Sequence, residues 1–382
     1  MNLKCCNCLS ELPRGIKFLA NLRHLELPSM DNWNVYMPHG IGELTNLQTM
    51  HTIKVGGDPA SCGIADLINL DKLRGELCIS GIENVSVAQI SVEGTIKDKC
   101  ELRKLILQWS CIDSMFADEA SSVLDSLQPH SALEELNVWG FSGVRFPMWL
   151  GNQYMSRLSK LELKACQNCK ELPSLGQLPC LKHLSINSLT SIKYVGRMFS
   201  SCDGTSFRDC GSNTSRAFPT LEALRFTNMD SWGKWDEIKP EDFPCLQYLT
   251  IIKCNKLREL PKLQALQNLR IKSCEHLFDL PSFPSLQCIK IEGFCSVRDI
   301  LQVPLFSHLE IQELRCYEKL VSEEWLKYCT PNYCLLLKKE KVRKSSGCQT
   351  MPFHNLSVQN SQHSMLDNLK TLSSSPANQV GF

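Results

Sequence analysis

Two pairs of cysteines have the spacing at which proteins often hold a metal ion. Cys5 and Cys8, like Cys166 and Cys169, are separated by two residues, as in one half of a structural zinc site. Neither pair has a second pair at the distance found in zinc fingers, and the nine histidines lack metal-ligand spacing. The sequence also has no phosphate-binding loop, no Gly-x-Ser-x-Gly and no His-Glu-x-x-His motif. We therefore predict no enzyme: no catalytic residues, no cofactor and no metal.

Cys166 belongs instead to a spacing that recurs along the chain. It lies three residues after Leu163, and the pair Leu172-Pro173 lies nine and ten residues after the same leucine. Three other hydrophobic residues are followed by a cysteine and a Leu-Pro pair at the same distances: Leu3 by Cys6 and Leu12-Pro13; Ile251 by Cys254 and Leu260-Pro261; Ile271 by Cys274 and Leu280-Pro281. We predict that these are reduced cysteines packed inside a repeated turn, which favours a reducing compartment.

The elements that must position these residues are short hydrophobic segments of the form Leu-x-x-Leu-x-Leu. We call the three hydrophobic residues of each segment its anchors. Leu102-Leu105-Leu107 and Leu158-Leu161-Leu163 are two of ten such segments between Leu22 and Ile311. Most successive segments are about 20–29 residues apart, which is the signature of leucine-rich repeats. We predict an α/β fold, a leucine-rich-repeat solenoid shaped as a curved horseshoe. Its parallel β-sheet should line the concave face, with loops and short helices on the convex face.

The repeats predict how the chain is organised. Residues 1–325 should form about 12 repeats, the first of them truncated, as in a piece of a larger array. Residues 85–100 and 117–130 have helical spacing, and 197–217 reads as a flexible insertion because it is rich in Ser, Gly, Asp and Asn. Residues 326–382 lack the repeat, and we expect a mostly disordered tail.

The residues between the anchors point away from the core, because side chains alternate along a strand. We predict that the concave face binds a protein partner, with ten candidate contact residues: Glu135, Asn137, Lys160, Glu162, Lys182, His183, Arg225, Tyr248, Arg270 and Lys290. The later repeats become basic, which fits either an acidic partner there or an ordinary solvated face. Trp232 and Trp235 are either exposed anchors for a partner or packed inside the solenoid.

Composition excludes other classes of function. The formal net charge is +1, which gives no indication of nucleic-acid binding. No stretch approaches the ~18 continuous apolar residues of a membrane helix, so we expect no membrane span. Since the first residues do not read as a signal peptide, we expect a cytoplasmic protein.

Several ordered segments resemble one known family. LPRGIKFLANLRHLEL (12–27), LDKLRGELCISGIENV (70–85) and FPTLEALRFTNMDSWGKW (218–235) resemble the repeat domain of plant disease resistance proteins of the coiled-coil nucleotide-binding leucine-rich-repeat (NLR) class. The resemblance covers roughly residues 1–300, without the coiled coil or the nucleotide-binding module.

The resemblance implies the recognition module of an intracellular immune receptor in plant defence. Its partners would be a pathogen effector or a guarded host protein, and the nucleotide-binding module of a full-length receptor. Two alternatives remain open: an F-box-type subunit that recruits substrates to a ubiquitin ligase, and a non-functional truncated receptor remnant.

Overall fold

The fold is a stack of short parallel strands, about one for each repeat. A computed structural model describes residues 1–6, 8–28, 35–87, 96–110, 117–196, 199, 216–235, 238–239, 241–277, 280–295, 308–312 and 334–338. The strands are β1 His24–Leu25, β2 Thr49–Met50, β3 Thr52–Lys54, β4 Gly75–Ser80, β5 Leu102–Gln108, β6 Glu135–Trp139, β7 Lys160–Lys164, β8 His183–Asn187, β9 Tyr194–Val195, β10 Ala223–Thr227, β11 Lys234–Trp235, β12 Tyr248–Ile252, β13 Asn268–Cys274, β14 Cys288–Cys295, β15 His308–Gln312 and β16 Cys334–Lys338.

Twelve of these strands form one sheet, in the order β16-β15-β14-β13-β12-β10-β8-β7-β6-β5-β4-β3. Every neighbouring pair is parallel, and the order follows the chain. β1 pairs with β2, and β9 pairs with β11, in two separate two-stranded sheets. A parallel sheet whose neighbours are consecutive repeats confirms the predicted leucine-rich-repeat solenoid.

The anchors of the repeat are aligned in register and buried. Leu136, Leu161, Leu184 and Leu224 are paired from strand to strand, and each is at most 2% exposed. Burial of a leucine side chain contributes roughly 1.5–3 kcal/mol relative to exposure. Because one repeat cannot cover its own apolar face, each anchor depends on the neighbouring repeats for that burial.

One of the two predicted helical segments is described and is a helix. α1 spans Ala117–Ser126 and buries Ala120, Val123 and Leu124. Asp118 and Glu119 lie in its first turn, where carboxylates interact favourably with the helix dipole. No helix in the described ranges is long and apolar enough to cross a membrane.

The short helices between strands are of the 3-10 type. They span Arg14–Phe18, Ile41–Glu43, Ile64–Leu67, Ile82–Asn84 and Met148–Gly151. Much of the other predicted helical segment, residues 88–95, lies outside the described residues. So does the predicted flexible insertion, except for Phe199, Arg216 and Ala217. The predicted domain boundary at 325 stays a prediction; β16 lies beyond it and pairs with β15.

The residue that follows a concave strand adopts a left-handed backbone conformation in repeat after repeat. Its φ is between 52° and 75° at Gly81, Gly140, Ala165, Ser188, Asn228 and Lys253. Its N–H extends the ladder into the next repeat: Gly140 donates to the carbonyl of Lys164, and Ala165 to that of Asn187, both at 2.8 Å. The chain then turns, so that the next side chain points inward.

The repeated cysteines occupy that inward position. Cys166, Cys254 and Cys274 are buried, and each Sγ lies 3.4–3.5 Å from the carbonyl oxygen two residues earlier. Burial raises the pKa of the Cys166 thiol to about 12. Thirteen of the described cysteines, Cys166, Cys254 and Cys274 among them, are free thiols. Cys6 contradicts the prediction: it is exposed, because the described residues cover its turn from one side only, through the repeat that contains Glu26.

Trp232 and Trp235 are packed inside the solenoid. They are 0% and 3% exposed, and their ring centroids are 5.6 Å apart. Phe226, the last anchor of β10, contacts both rings at 4.5 and 5.4 Å. The two tryptophans therefore fill the core behind the sheet.

We predict that Gly140→Ala lowers the free energy of unfolding by about 2 kcal/mol or more. A left-handed backbone disfavours a side chain, and a Cβ at this position would collide with the main-chain oxygen of Trp109. Ala165→Gly, at the matching position of the next repeat, should change stability by less than about 1 kcal/mol. Urea unfolding followed by circular dichroism measures the free energy of unfolding of both variants. Equal changes in stability would contradict the left-handed conformation and the close contact with Trp109 described for Gly140.

We also predict that iodoacetamide separates the cysteines into two classes at pH 8. The exposed Cys180 and Cys245 should react at least about tenfold faster than Cys166, Cys169 and Cys254, because burial raises the pKa of these three thiols. Mass spectrometry of the digested native protein gives the rates. Labelling of Cys166 as fast as that of Cys180 would show that the turn is not packed as described.

Candidate protein-binding face

The residues that alternate with the anchors along the strands form three columns that cross the sheet; we call the sheet face that carries them the concave face. The first column includes Glu135, Lys160, His183, Ala223 and Tyr248. The second includes Asn137, Glu162, Ser185, Arg225, Thr250, Arg270 and Lys290. The third includes Trp139, Lys164, Asn187, Thr227, Ile252, Lys272 and Glu292.

Nine of the ten candidate contact residues are on these strands, and seven of them line one recess. The recess has a volume of about 330 Å³ and brings together Glu135, Asn137, Lys160, Glu162, His183, Arg225 and Tyr248. The remaining three lie apart from it. Lys182 precedes β8 and contacts Glu222 at 3.1 Å, and Arg270 and Lys290 are on β13 and β14.

Two small residues create the recess. Ser185 lies between Glu162 and Arg225 in the second column, and Ala223 lies between His183 and Tyr248 in the first. A short side chain between two long ones leaves a gap in each column, and the two gaps are adjacent.

The side chains of the second column are buried on the strands of the earlier repeats. Cys78, Ile106 and Asn137 are in register along it, and they are 1%, 2% and 7% exposed. Asn137 therefore lies at the covered end of the recess, and the second column opens to solvent only from Glu162 onward. Alternation of side chains identifies these as concave residues but gives no indication of their burial.

Carboxylates at the edge of the recess nearer β5 already have partners. Lys104 lies between Glu76 and Glu135, with Nζ 3.2 and 3.4 Å from their oxygens. Burial opposes the charge of Lys104, but the two carboxylates outweigh burial and raise its pKa. Trp139 Nε1 donates to Glu162 Oε2 at 3.0 Å.

Three cations of the later repeats converge on one carboxylate. Arg270 and Lys272 each place a nitrogen 2.9 Å from Glu292, and Lys290 Nζ lies at 3.4 Å. Burial opposes the charge of Glu292, but hydrogen bonds from Lys272 and Lys290 and the charge of Arg270 outweigh burial and lower its pKa. The sequence left open whether the basic later repeats meet an acidic partner or form an ordinary solvated face; in the structure Arg270 and Lys290 both contact Glu292.

Arg225 differs from these cations. Its Nε donates to Thr227 Oγ1 at 3.2 Å, and it forms no ion pair with any described residue. It is exposed at the edge of the recess. Among the described residues, no three His, Cys, Asp or Glu side chains are grouped so that they could hold a metal ion.

We predict that Glu292→Gln lowers the free energy of unfolding by on the order of 1 kcal/mol at pH 7, because three cations then lose their contact with a carboxylate. A lowered pKa in the folded state stabilises the protein above about pH 4.5, and this contribution is lost as the pH falls through the folded-state pKa. The difference in the free energy of unfolding between wild type and variant should therefore become smaller as the pH falls from 5 to 3. Urea unfolding at both pH values measures it. Glu171→Gln, on an exposed turn, is the control.

Part of the chain is similar to known proteins. Residues 64–189 match the model of the R13L1/DRL21 leucine-rich repeats. The disease resistance protein At3g14460 of Arabidopsis thaliana is 35% identical over 215 residues, which are 53% of this chain and 14% of that protein. Disease resistance RPP13-like protein 1 of the same species is 33% identical over 205 residues, 51% of this chain and 19% of that protein. The chain thus spans less than a fifth of the length of these two relatives.

Among solved structures, the leucine-rich repeat domain of the type III effector XopL is 16% identical, with a TM-score of 0.35. The match covers 69% of this chain and 76% of that one. The family match and the relatives agree with the resemblance of the ordered segments. Residues 64–189 are therefore similar to leucine-rich repeats of the R13L1/DRL21 type, and about half of the chain is similar to plant disease resistance proteins.

Proposed function

We propose that the chain is a recognition module of plant defence that binds another protein through its concave face. The partner is a pathogen effector or a host protein that such a receptor guards. The relationship to disease resistance proteins supports the defence role and favours it over recruitment of substrates to a ubiquitin ligase.

The observation that carries the proposal is the concentration of predicted contact residues in one recess. Seven of ten meet there, with both signs of charge. Tyr248, at its edge, is 51% exposed, and tyrosine and arginine are, with tryptophan, the residue types enriched at binding hot spots. A surface that combines an aromatic side chain, an arginine with no ion pair to any described residue and a concave shape suits a protein partner.

The cellular context belongs to the same proposal. The free thiols of the described cysteines fit a cytoplasmic protein. Because the chain spans a small part of its relatives, a second contact, with the nucleotide-binding module of a full-length receptor, is proposed with it. The module acts by binding, without catalysis.

The test compares two triple variants with the same change of charge. Lys160→Glu, Arg225→Glu and Tyr248→Ala alter the recess, whereas Lys256→Glu, Arg258→Glu and Tyr194→Ala alter exposed residues outside the three columns. A partner protein captured by the wild type from infected leaf tissue is purified, and its affinity for each variant is measured by surface plasmon resonance.

We expect the recess variant to bind the partner at least about thirtyfold more weakly, since hot-spot residues contribute about 2 kcal/mol or more. The control variant should bind within about twofold of wild type. Both should keep the unfolding midpoint of the wild type, because the six side chains are exposed. Equal binding by wild type and recess variant would place the site elsewhere.

A further inference from the structure

The recess has an acidic wall, where Glu135 and Glu162 lie with Lys160 beside them, and a basic wall at Arg225; the two walls do not meet. Glu162, Ser185 and Arg225 are in register on the neighbouring strands β7, β8 and β10. Adjacent strands are about 4.8 Å apart, so the Cα atoms of Glu162 and Arg225 are separated by roughly 10 Å. Ser185 is too short to bridge them, and the two charged side chains form no ion pair with each other.

The basic wall is rich in hydrogen-bond donors. The bond from Arg225 Nε to Thr227 fixes the orientation of the guanidinium, and its two terminal nitrogens make no hydrogen bond to any described residue. The hydroxyl-bearing Ser185, Tyr248 and Thr250 line the recess beside it. A guanidinium with both terminal nitrogens available binds a carboxylate through two parallel hydrogen bonds.

The acidic wall limits which anion can enter. Glu162 accepts one hydrogen bond, from the neutral indole of Trp139, and Glu135 lies beside it in the recess. These carboxylates repel a doubly charged group such as phosphate more than a singly charged carboxylate. They also attract a cation at the opposite end from Arg225.

We infer that the recess binds an acidic and a basic side chain of one extended segment of the partner protein. The partner's carboxylate contacts Arg225, and its ammonium or guanidinium group contacts Glu162. Side chains two residues apart in an extended segment lie on the same side, about 6.6 Å apart, which suits the gap between the two walls. This inference rests on the proposed binding function of the concave face and specifies the chemistry of the partner.

The experiment uses three blocked peptides: acetyl-Glu-Gly-Lys-amide, acetyl-Glu-Gly-Gln-amide and acetyl-Gln-Gly-Lys-amide. Each is titrated into the full chain labelled with ¹⁵N at arginine and tryptophan. The Nε–H signals of Arg225 and Trp139, assigned from Arg225→Gln and Trp139→Phe, report on the two walls. We expect the peptide with both charges to bind about tenfold more tightly than either peptide with one charge, and to shift both signals.

Two variants test the walls separately. Glu162→Gln should weaken binding of the doubly charged peptide about tenfold and leave the purely acidic peptide bound at least as tightly as before. Arg225→Gln should weaken binding of both acid-containing peptides, followed at Trp139. Glu171→Gln and Arg258→Gln, exposed and outside the columns, should change neither affinity.

Equal affinities for the three peptides, or no shift of either signal up to the solubility limit, would overturn the inference. Tighter binding of inorganic phosphate than of the acidic peptide, titrated in the same way, would also overturn it and show a simple anion site. If the peptides fail while the triple recess variant still loses the partner protein, the concave face binds by other chemistry and the proposed function stands. If the peptides bind as expected but the triple variant keeps the partner, the proposed function is wrong.

Discussion

The structure depends on the burial of each repeat's anchors against the neighbouring repeats. Leu161 is covered because Leu136 and Leu184 lie beside it in register, and each of those depends on its own neighbours in the same way. The constraint is one-dimensional, because every anchor contacts only adjacent repeats. This burial determines the backbone of the sheet and does not depend on the side chains of the concave face. Those side chains can therefore carry charge, aromatic rings or gaps without loss of the core.

Spacing alone predicts the part of the structure that this constraint determines. The anchors, the parallel sheet, the repeated inward cysteines such as Cys166 and the apolar side of α1 follow from periods of about 20–29 and 3.6 residues. The partners of Arg270 and Lys290 do not. Pairing with Glu292 depends on which strands are adjacent and on side-chain rotamers, and neither is encoded in the spacing. The burial of Asn137 could not be predicted for the same reason, since it arises from neighbours contributed by other repeats.

Ion pairs neutralise the charges of the concave face in two clusters, and the recess lies between these clusters. Near β5, Lys104 is shared by two carboxylates, and near β14 Glu292 is shared by three cations. Such half-exposed pairs contribute little to stability individually. Their consequence is for recognition: groups that already have partners offer less to another protein, whereas Arg225 and Lys160, beside the recess, form no ion pair with any described residue. The small side chains of Ser185 and Ala223 matter as much as the charges, because they leave the space that a partner's side chains could enter.

The left-handed residue that follows six of the concave strands has a consequence for how such a face changes in evolution. Gly140, Ala165, Ser188, Asn228 and Lys253 differ in side chain but close the same main-chain turn. A whole repeat added or lost by recombination would therefore join its neighbours through an identical backbone junction. The two neutralised clusters, now seven strand spacings or roughly 34 Å apart, would then move relative to each other in fixed steps of about 4.8 Å. Point substitutions in the columns change the chemistry of the face one side chain at a time, whereas the number of repeats sets its length in steps of one strand spacing.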